Sequence, residues 1–266
     1  MTMPADAPFR QTDVMDPDRA RALAVTLGVE PPLTGDALPP FFHQVYFWDP
    51  HPSDRLGRDG HPKVGQGPIP DLGLPRRMWA GGRLAFHAAL RAGTPAEKVT
   101  TCLRTERKTG RSGPLGFVTL RHEISQDGTL CVVEEQDLVY REDPDPAAPK
   151  PVPPTARTDE TVAETRGFDS TQLFRYSALT FNGHRIHYDE DYARRVEGYD
   201  GLVVHGPLLA QYLMLLADRQ PGGLRRFEFR ATAPLMHHER AAFCRADDVL
   251  WVRGPDGRQC MAAEAG

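Results

Sequence analysis

A proline-rich stretch near the middle of the chain places the strongest limit on how this sequence can fold. Between positions 142 and 169 the sequence reads EDPDPAAPKPVPPTARTDETVAETRGFD, with six prolines in its first half. Proline fixes one backbone dihedral and lacks an N–H donor, so this composition favours extended, unpaired chain. We therefore predict two folded parts, residues 1–143 and 169–266, joined by a linker over residues 144–168.

The two parts share patterns of alternating residues, which indicates a duplicated unit of antiparallel strands. GGRLAFHAALRAGTP at 81–95 and LRRFEFRATAPLMHHE at 224–239 both alternate like strands. Further along each part, over 122–142 and 247–265, an Asp-Gly pair separates two alternating runs. Asp-Gly in that setting is a strong hairpin signal, so each unit is predicted to end in a hairpin.

Two helices are predicted in the second part. A short one runs from Asp189 to Val196, with acidic residues at its start. The other begins at Gly206 with Pro207 in its first turn. It carries an apolar stripe at helical spacing, formed by Leu208, Leu209, Tyr212, Leu213 and Leu216. Together with the strands, this predicts an α+β fold in which a sheet wraps around one apolar helix, made twice.

Composition narrows the class of protein. At 266 residues with 40% hydrophobic content, the chain can bury a substantial core. There is no run of eighteen apolar residues, and the start MTMPADAPFR resembles no secretory signal, so we expect no membrane partner and a cytoplasmic location. The four cysteines stand far apart without CxxC spacing, which suggests neither a zinc knuckle nor a disulfide framework.

Charge argues against a general nucleic-acid binder. The net charge is −4 and the pI is near 6.2, whereas such a binder carries a broad basic face. An anionic ligand would have to be met by local cations. The candidates are Arg76 and Arg77, Lys108 and Arg111, and Arg225, Arg226 and Arg230.

The stretch FNGHRIHYDEDYARR at 181–195 concentrates chemically useful side chains. His184 and His187 are three residues apart, and Asn182 precedes the second histidine by five. A metal site, a structural corner between strand and helix, and a base that handles a proton or water are the three interpretations. The metal interpretation is the weakest, because His-x-x-His spacing is common and no HExxH motif is present.

The following residues favour the base. Glycines punctuate EGYDGLVVHGPLL, which leads into the apolar helix at His205 and Gly206. Unpaired N–H groups and the helix dipole make a helix start a natural oxyanion hole. A thioester carbonyl placed there would be polarised, and a neutral imidazole could then exchange its α-proton.

These residues resemble a known family, the MaoC-like enoyl-CoA hydratases and dehydratases. Its signature, D-x-N-P-[IL]-H, is followed by a short helix, a glycine-spaced loop and H-G before a central helix. The corresponding residues are NGHRIH at 182–187 and then YDEDYARRVEGYDGLVVHG. The resemblance implies a double hotdog fold, with His187 as the catalytic histidine and Gly206 as the glycine whose N–H polarises the thioester.

One position departs from the signature. Asn182 stands where the family has its catalytic aspartate, and an amide can orient water but cannot exchange a proton. The FNxHRIHYD form is similar to that of the branch containing itaconyl-CoA and mesaconyl-C4-CoA hydratases and the mitochondrial 3-hydroxyacyl-thioester dehydratase.

The first part also resembles that branch. The similar segments are LPPFFHQVYFWDP (38–50), LPRRMWAGGRL (74–84), KTGRSGPLGFVTLRHEI (108–124) and EEQDLVYRE (134–142). Because this part has no N-x-x-x-x-H signature, we expect a degenerate hotdog that forms one wall of the acyl-CoA tunnel without catalysing.

The activity implied by the resemblance is reversible hydration of an α,β-unsaturated acyl-CoA, for instance of itaconyl-CoA or mesaconyl-C4-CoA to citramalyl-CoA. His187, helped by Asn182, would deprotonate water for attack at Cβ and return the proton to Cα. Arg185, His184 and His205 would support the loop or contact substrate. Neither a cofactor nor a metal is expected. The rival functions are an acyl-CoA thioesterase and a non-catalytic acyl-CoA-binding module, and the assembly is predicted to be a monomeric pseudo-dimer or a homodimer.

Overall fold

The computed structural model describes residues 8–65, 67–110, 113–143 and 151–266. In these residues ten antiparallel strands form one sheet, in the order β1-β3-β4-β5-β2-β7-β10-β9-β8-β6. The strands are β1 (Phe9–Asp13), β2 (Arg76–Phe86), β3 (Ala96–Gly110), β4 (Gly113–Gln126), β5 (Thr129–Arg141), β6 (Val162–Gly167), β7 (Arg226–Ala231), β8 (Arg240–Ala246), β9 (Val249–Arg253) and β10 (Gln259–Ala265). The helices are α1 (Pro17–Leu27), α2 (Ser170–Leu179), α3 (Glu190–Arg195) and α4 (Gly206–Ala217), with short 3₁₀ turns at Phe42–Val45, Ser53–Arg55 and Arg185–His187.

The strand order shows the duplication that the sequence pattern predicted. Strands β1 to β5 form one half of the sheet, β6 to β10 form the other, and the second half repeats the order of the first in mirror image about the β2–β7 junction. Each half also places a helix, α1 or α2, directly after its outermost strand. Hereafter these are called the first half and the second half.

Two glycines allow the halves to join edge to edge. Gly81 and Gly82 of β2 lie opposite Arg230 and Phe229 of β7. A Cβ atom on Gly81 would lie 2.4 Å from the carbonyl oxygen of Phe229, which no side chain could accommodate. Close backbone approach therefore explains the Gly-Gly pair, and the ten strands become one continuous sheet.

The predicted hairpins are present. Asp127 and Gly128 both have positive φ angles, 47° and 76°, and they join β4 to β5. This is the backbone that Asp-Gly turns favour. The second predicted turn, at Asp256 and Gly257, joins β9 to β10, with Gly257 at φ 82°.

Helix α4 lies in the second half and is buried on nearly every side. Its residues from Leu208 to Ala217 pack against β7 to β10 in the largest apolar cluster, and only Leu215 is partly exposed. The sequence pattern predicted a helix buried along one apolar side, whereas nearly the whole surface of α4 is buried. The short helix predicted after Asp189 is also confirmed, since the carboxylate of Asp189 caps α3 by accepting the N–H of Tyr192.

The first half differs from the predicted plan, in which each sheet wraps a central helix. Between α1 and β2, its described residues contain two 3₁₀ turns and no long helix. Ten prolines between positions 31 and 75 account for this, because proline interrupts helical hydrogen bonding. Strands β3, β4 and β5 of the first half instead contribute side chains to the lining of a cavity.

The predicted linker over residues 144–168 is too long. Residues 162–167 form β6, the edge strand of the second half, which pairs with β8 along its whole length. The sequence VAETRG gave little strand signal because the side chains of an edge strand remain largely exposed. Residues 144–150 lie outside the described residues.

None of the helices in the described part of the chain is long and apolar enough to cross a membrane. All four cysteines are free thiols, and three of them are buried.

Candidate active site

The loop between α2 and α3 brings the predicted catalytic residues together. Phe181 adopts a left-handed conformation at φ 51° and turns the chain out of α2. The N–H of Asn182 then bonds to Ser177 O at 2.8 Å, and its side-chain Oδ1 accepts the backbone N–H of His184 at 3.0 Å. One of the two lone pairs of Asn182 Oδ1 is therefore used within the loop.

His187 is held in one orientation and one tautomer. Its ring is buried, and Nδ1 lies 2.7 Å from the carbonyl oxygen of Val203. Because a carbonyl oxygen only accepts, Nδ1 carries the proton and Nε2 keeps its lone pair. Burial lowers the pKa of His187 to about 4, so the ring is a neutral base at neutral pH.

His205 supports this ring from behind. The two imidazoles stack with centroids 3.7 Å apart, and Nε2 of His205 bonds to the hydroxyl of Ser177 at 2.8 Å. The side chain does not cap α4, and it does not line the cavity. Of the two predicted roles, support of the loop is therefore the one that the contacts favour.

Gly206 begins α4, and helix geometry leaves its N–H without an intrahelical acceptor. The six-membered ring of Trp79 lies close by, because a Cβ atom added to Gly206 would be 3.3 Å from Cε3 of that residue. The N–H thus lies at the start of a buried twelve-residue helix, where the helix dipole favours negative charge.

These groups open into one cavity of about 550 Å³ that both halves line. Of the predicted site residues, the cavity lining includes Asn182, His184, His187 and Gly206. Their positions agree with a site for a substrate whose reacting atoms lie between the imidazole and the helix start.

Arg185 lies outside the cavity lining and acts as a brace. Its guanidinium bonds to Asp189 Oδ2, with Nη2 at 2.7 Å, and lies 4.2 Å from the ring centroid of Tyr192. Nη1 also donates to the carbonyl of Arg58 in the first half. The alternative role, contact with a substrate carboxylate, has no support in these contacts.

Sequence reasoning missed two site residues in the first half, Asp59 and His61. Both line the cavity, and His61 Nδ1 lies 3.0 Å from Asp59 Oδ2. Their ring neighbour is His184, at a centroid distance of 4.5 Å from His61. The only sequence signal was the Asp-x-His spacing in DGHP at 59–62. This segment lies more than a hundred residues before the loop of His184 and His187 that it contacts in the structure.

Among the described residues, ligand atoms of Asp59, His61 and His184 lie within 4.8 Å of one another, a spacing that a metal ion could bridge. Two of these atoms are already joined by the Asp59–His61 hydrogen bond. The predicted metal ligands His184 and His187 instead have their rings 5.4 Å apart and edge to face.

Three strands of the first half place polar side chains in the cavity lining. Lys98, His122, Glu134 and Gln136 extend from β3, β4 and β5 into the cavity. His43 Nε2 bonds to Glu134 Oε2 at 2.9 Å, and both side chains are buried. The second half carries apolar residues on the matching face, packed against α4.

Only two of the candidate cations line the cavity, Arg76 and Arg77. Arg76 forms a buried ion pair with Glu197. No carboxylate in the described part of the chain lies within ion-pair distance of Arg77, whose positive charge adds to burial in lowering the pKa of His61 and His184. Of the other candidates, Lys108 pairs with Glu106, Arg225, Arg226 and Arg230 are exposed, and Arg111 lies outside the described residues.

The lowered pKa of His187 predicts an unusual pH dependence. An ordinary histidine is half protonated near pH 6.5, whereas His187 stays neutral down to about pH 4. We expect kcat/KM to change little between pH 7 and 5 and to fall only below that range. A pH–rate profile with its acidic limb near 6.5 would contradict this assignment.

Comparison with known proteins identifies the family to which the chain belongs. The profile of the family described as hydroxyacyl-thioester dehydratase type 2 matches residues 41–237, more than half of the sequence. The chain belongs to this family. A mesaconyl-C(4)-CoA hydratase of Chloroflexus aurantiacus is 44% identical over 256 residues, which cover 92% of this chain and 90% of that protein.

Solved structures support the fold of this hydroxyacyl-thioester dehydratase type 2 family member. HtdX of Mycobacterium tuberculosis superimposes with a TM-score of 0.68 at 18% identity, covering 97% of this chain and 99% of its own. Another Mycobacterium tuberculosis protein, described as a double hotdog, gives a TM-score of 0.53 at 16% identity and covers 99% of this chain and 96% of its own. The predicted α+β double hotdog is thus confirmed.

Proposed function

We propose that the protein catalyses the reversible hydration of an α,β-unsaturated acyl-CoA to the 3-hydroxyacyl-CoA. One observation carries the proposal: the unprotonated Nε2 of His187 and the N-terminus of α4 belong to the same cavity. Relatives named as a hydratase and as hydroxyacyl-thioester dehydratases support it. The reaction needs a proton carrier and a donor for the thioester oxygen, and these groups are suited to those two roles.

In the hydration direction, the thioester oxygen accepts the N–H of Gly206, which draws electron density from Cβ. Nε2 of His187 takes a proton from water as the oxygen attacks Cβ. The double bond becomes an enolate, stabilised at the helix start. His187 then delivers the proton to Cα, which restores the neutral ring. Stacked on His205, the ring keeps its orientation throughout.

The cavity also suggests the class of acyl group. Arg77 is a cation without a carboxylate partner at the end of the cavity that contains His61 and His184. In mesaconyl-C(4)-CoA, the substrate named for the 44% identical relative, a free carboxylate is attached to Cβ, the carbon that water attacks. We propose that Arg77 binds such a carboxylate, since an Arg–carboxylate pair is strong and directional.

The polar side chains that the first half contributes to the cavity support a short acyl group. A long aliphatic chain placed against Lys98, His122 and Glu134 would bury its methylene groups against polar atoms and gain fewer apolar contacts there. We therefore expect mesaconyl-C(4)-CoA to be hydrated faster than crotonyl-CoA, and octenoyl-CoA to react slowest. The measurement is the loss of conjugated enoyl-thioester absorbance. No loss with any of the three would reject the proposed function.

Replacing Arg77 should change this selectivity. In Arg77→Gln, we expect kcat/KM for mesaconyl-C(4)-CoA to fall roughly a hundredfold, because a charge-assisted hydrogen-bonded pair is worth about 1.5–3 kcal/mol. Activity with crotonyl-CoA, which lacks the second carboxylate, should change less than threefold.

Arg83→Gln is the matched control, since Arg83 lies on the same strand but outside the cavity lining. It should leave both substrates unaffected. An equal loss of kcat/KM with both substrates in Arg77→Gln would mean that Arg77 does not bind the second carboxylate.

A further inference from the structure

The cavity contains a hydrogen-bonded Asp–His pair to which the mechanism above gives no role. Asp59 Oδ2 lies 3.0 Å from His61 Nδ1, and Oδ1 accepts the backbone N–H of His61 at 3.1 Å. Because a carboxylate only accepts, Nδ1 carries the proton of the neutral ring. The side chain of Asn182 is a further hydrogen-bond partner of His61, and the ring lines the cavity.

The turn that carries the pair is fixed to the catalytic loop. The backbone N–H of Arg185 donates to Asp59 O at 2.9 Å. A Cβ atom on Gly60 would lie 2.0 Å from the carbonyl oxygen of Gly183, and one on Gly183 would lie 2.6 Å from that of Gly60. The two backbones therefore touch at a point where only glycine fits, and the segment from the first half is held as part of the site.

His61 and His187 face the same space. The ring of His184 lies between them, 4.5 Å from His61 and 5.4 Å from His187 by centroid. The charge of His61 also contributes, after burial and the Val203 hydrogen bond, to the pKa of His187. Both rings line the cavity and have Nδ1 occupied, so Nε2 is the nitrogen that each ring could present to a bound molecule.

Hydration requires two acceptors for the water molecule. One O–H bond of water breaks, and the other remains in the product hydroxyl. His187 Nε2 takes the proton of the first. An acceptor for the second O–H would direct the oxygen lone pair at Cβ. Asn182 already uses part of its hydrogen-bonding capacity on the N–H of His184 and on His61, which leaves His61 as a second candidate acceptor on this side of the cavity.

We propose that His61, oriented by Asp59, is a further catalytic residue whose Nε2 accepts a hydrogen bond from the O–H that the attacking water keeps. The C–O bond forms at Cβ, the proton of the broken O–H bond passes to His187 and then to Cα, and the O–H held by His61 does not break. The inference rests on the proposed function and adds a residue from the half that was expected to form only a wall.

Electrostatics agrees with an acceptor at this position. Burial, with the charge of Arg77 second, lowers the pKa of His61 to about 4, against the opposing hydrogen bonds to Asp59 and Asn182. Burial alone would raise the pKa of Asp59, but the hydrogen bond and charge of His61 outweigh it and lower that pKa. At neutral pH the pair is therefore a neutral imidazole on an ionised carboxylate.

The test compares His61→Leu with His61→Gln. Leucine removes the acceptor, and we expect kcat to fall roughly a hundredfold with KM changed less than threefold, since removing one positioned hydrogen bond costs on this order. Glutamine keeps an acceptor oxygen, so it should restore kcat to within about tenfold of the wild type. Circular dichroism and thermal unfolding check that both variants fold.

His51→Ala is the matched control. His51 bonds to Asp49 with the same Asp-x-His spacing, in the same segment, but it lies outside the cavity lining. Its kcat should equal that of the wild type. Wild-type kcat in His61→Leu would overturn the inference, and so would a His61→Gln variant as inactive as His61→Leu, since the ring would then carry a proton rather than hold water.

Further measurements distinguish a failure of this inference from a failure of the proposed function. A stoichiometric metal ion in the purified protein, with activity abolished by EDTA, would overturn the inference because Asp59, His61 and His184 would then be ligands. A wild-type protein that hydrates no enoyl-CoA would overturn the proposed function together with the inference. Wild-type hydration combined with an unaffected His61→Leu variant would overturn the inference alone.

Discussion

Replacing His187 should abolish nearly all activity. In His187→Ala we expect kcat for hydration to fall roughly a thousandfold, within the range of about 10²–10⁴ that positioned acid–base groups contribute. No other imidazole in the cavity has its Nδ1 fixed by a backbone carbonyl and its ring stacked on a second buried histidine, as far as the described residues show. Steady-state kinetics on the best enoyl-CoA substrate measure the effect.

His187→Gln tests whether the loss of activity comes from lost proton transfer and not from a disturbed fold. Its amide can still donate to the carbonyl of Val203, but it cannot carry a proton, so its loss of kcat should match that of His187→Ala. His238→Ala serves as the control, because that histidine is exposed and outside the cavity lining. Wild-type kcat in His187→Gln would show that this ring moves no proton.

The second large effect is expected at Gly206. In Gly206→Pro the N–H is lost, while proline suits the first turn of a helix. The preceding residue, His205, has φ −57° and ψ 129°, which is the conformation that proline requires before it. We expect kcat to fall by at least a hundredfold, as when an oxyanion-hole donor is removed.

Gly206→Ala is the matched control for this change. It keeps the N–H and adds a Cβ atom 3.3 Å from Trp79, so it reproduces the Cβ contact of the proline variant without removing the donor. The ratio of kcat between the alanine and proline variants therefore measures the contribution of the N–H. Equal activity in the two would mean that the thioester oxygen binds elsewhere.

The fold was predictable where local chemistry determines backbone geometry. Asp127 and Gly128 form the turn that their φ angles favour, and Pro207 marks the first turn of α4. Strand β6 was missed because its burial alternates weakly and its pairing with β8 lies about eighty residues away. The sequence predicted a central helix in the first half that its described residues do not contain, because duplicated strands do not require the segments between them to match.

The candidate catalytic residues also differ in how far the sequence could predict them. His187, Asn182 and Gly206 follow one another in a compact motif, so the resemblance located them, and the structure places all three on one cavity. Asp59 and His61 are held at that cavity by a backbone contact between Gly60 and Gly183. No local sequence pattern predicts a contact between residues so far apart in the chain. Arg77 was one of several candidate cations, and only its place in the cavity and its lack of a carboxylate partner among the described residues set it apart.

The central claim is that water adds to the carbon–carbon double bond of a bound thioester. Incubation of the protein with mesaconyl-C(4)-CoA in heavy-oxygen water, followed by mass spectrometry of the intact products, tests it most directly. The account predicts a 3-hydroxyacyl-CoA that has gained one heavy oxygen with its thioester unbroken. Heavy oxygen in a free carboxylic acid, together with released CoA thiol, would instead show hydrolysis of the thioester and contradict the account.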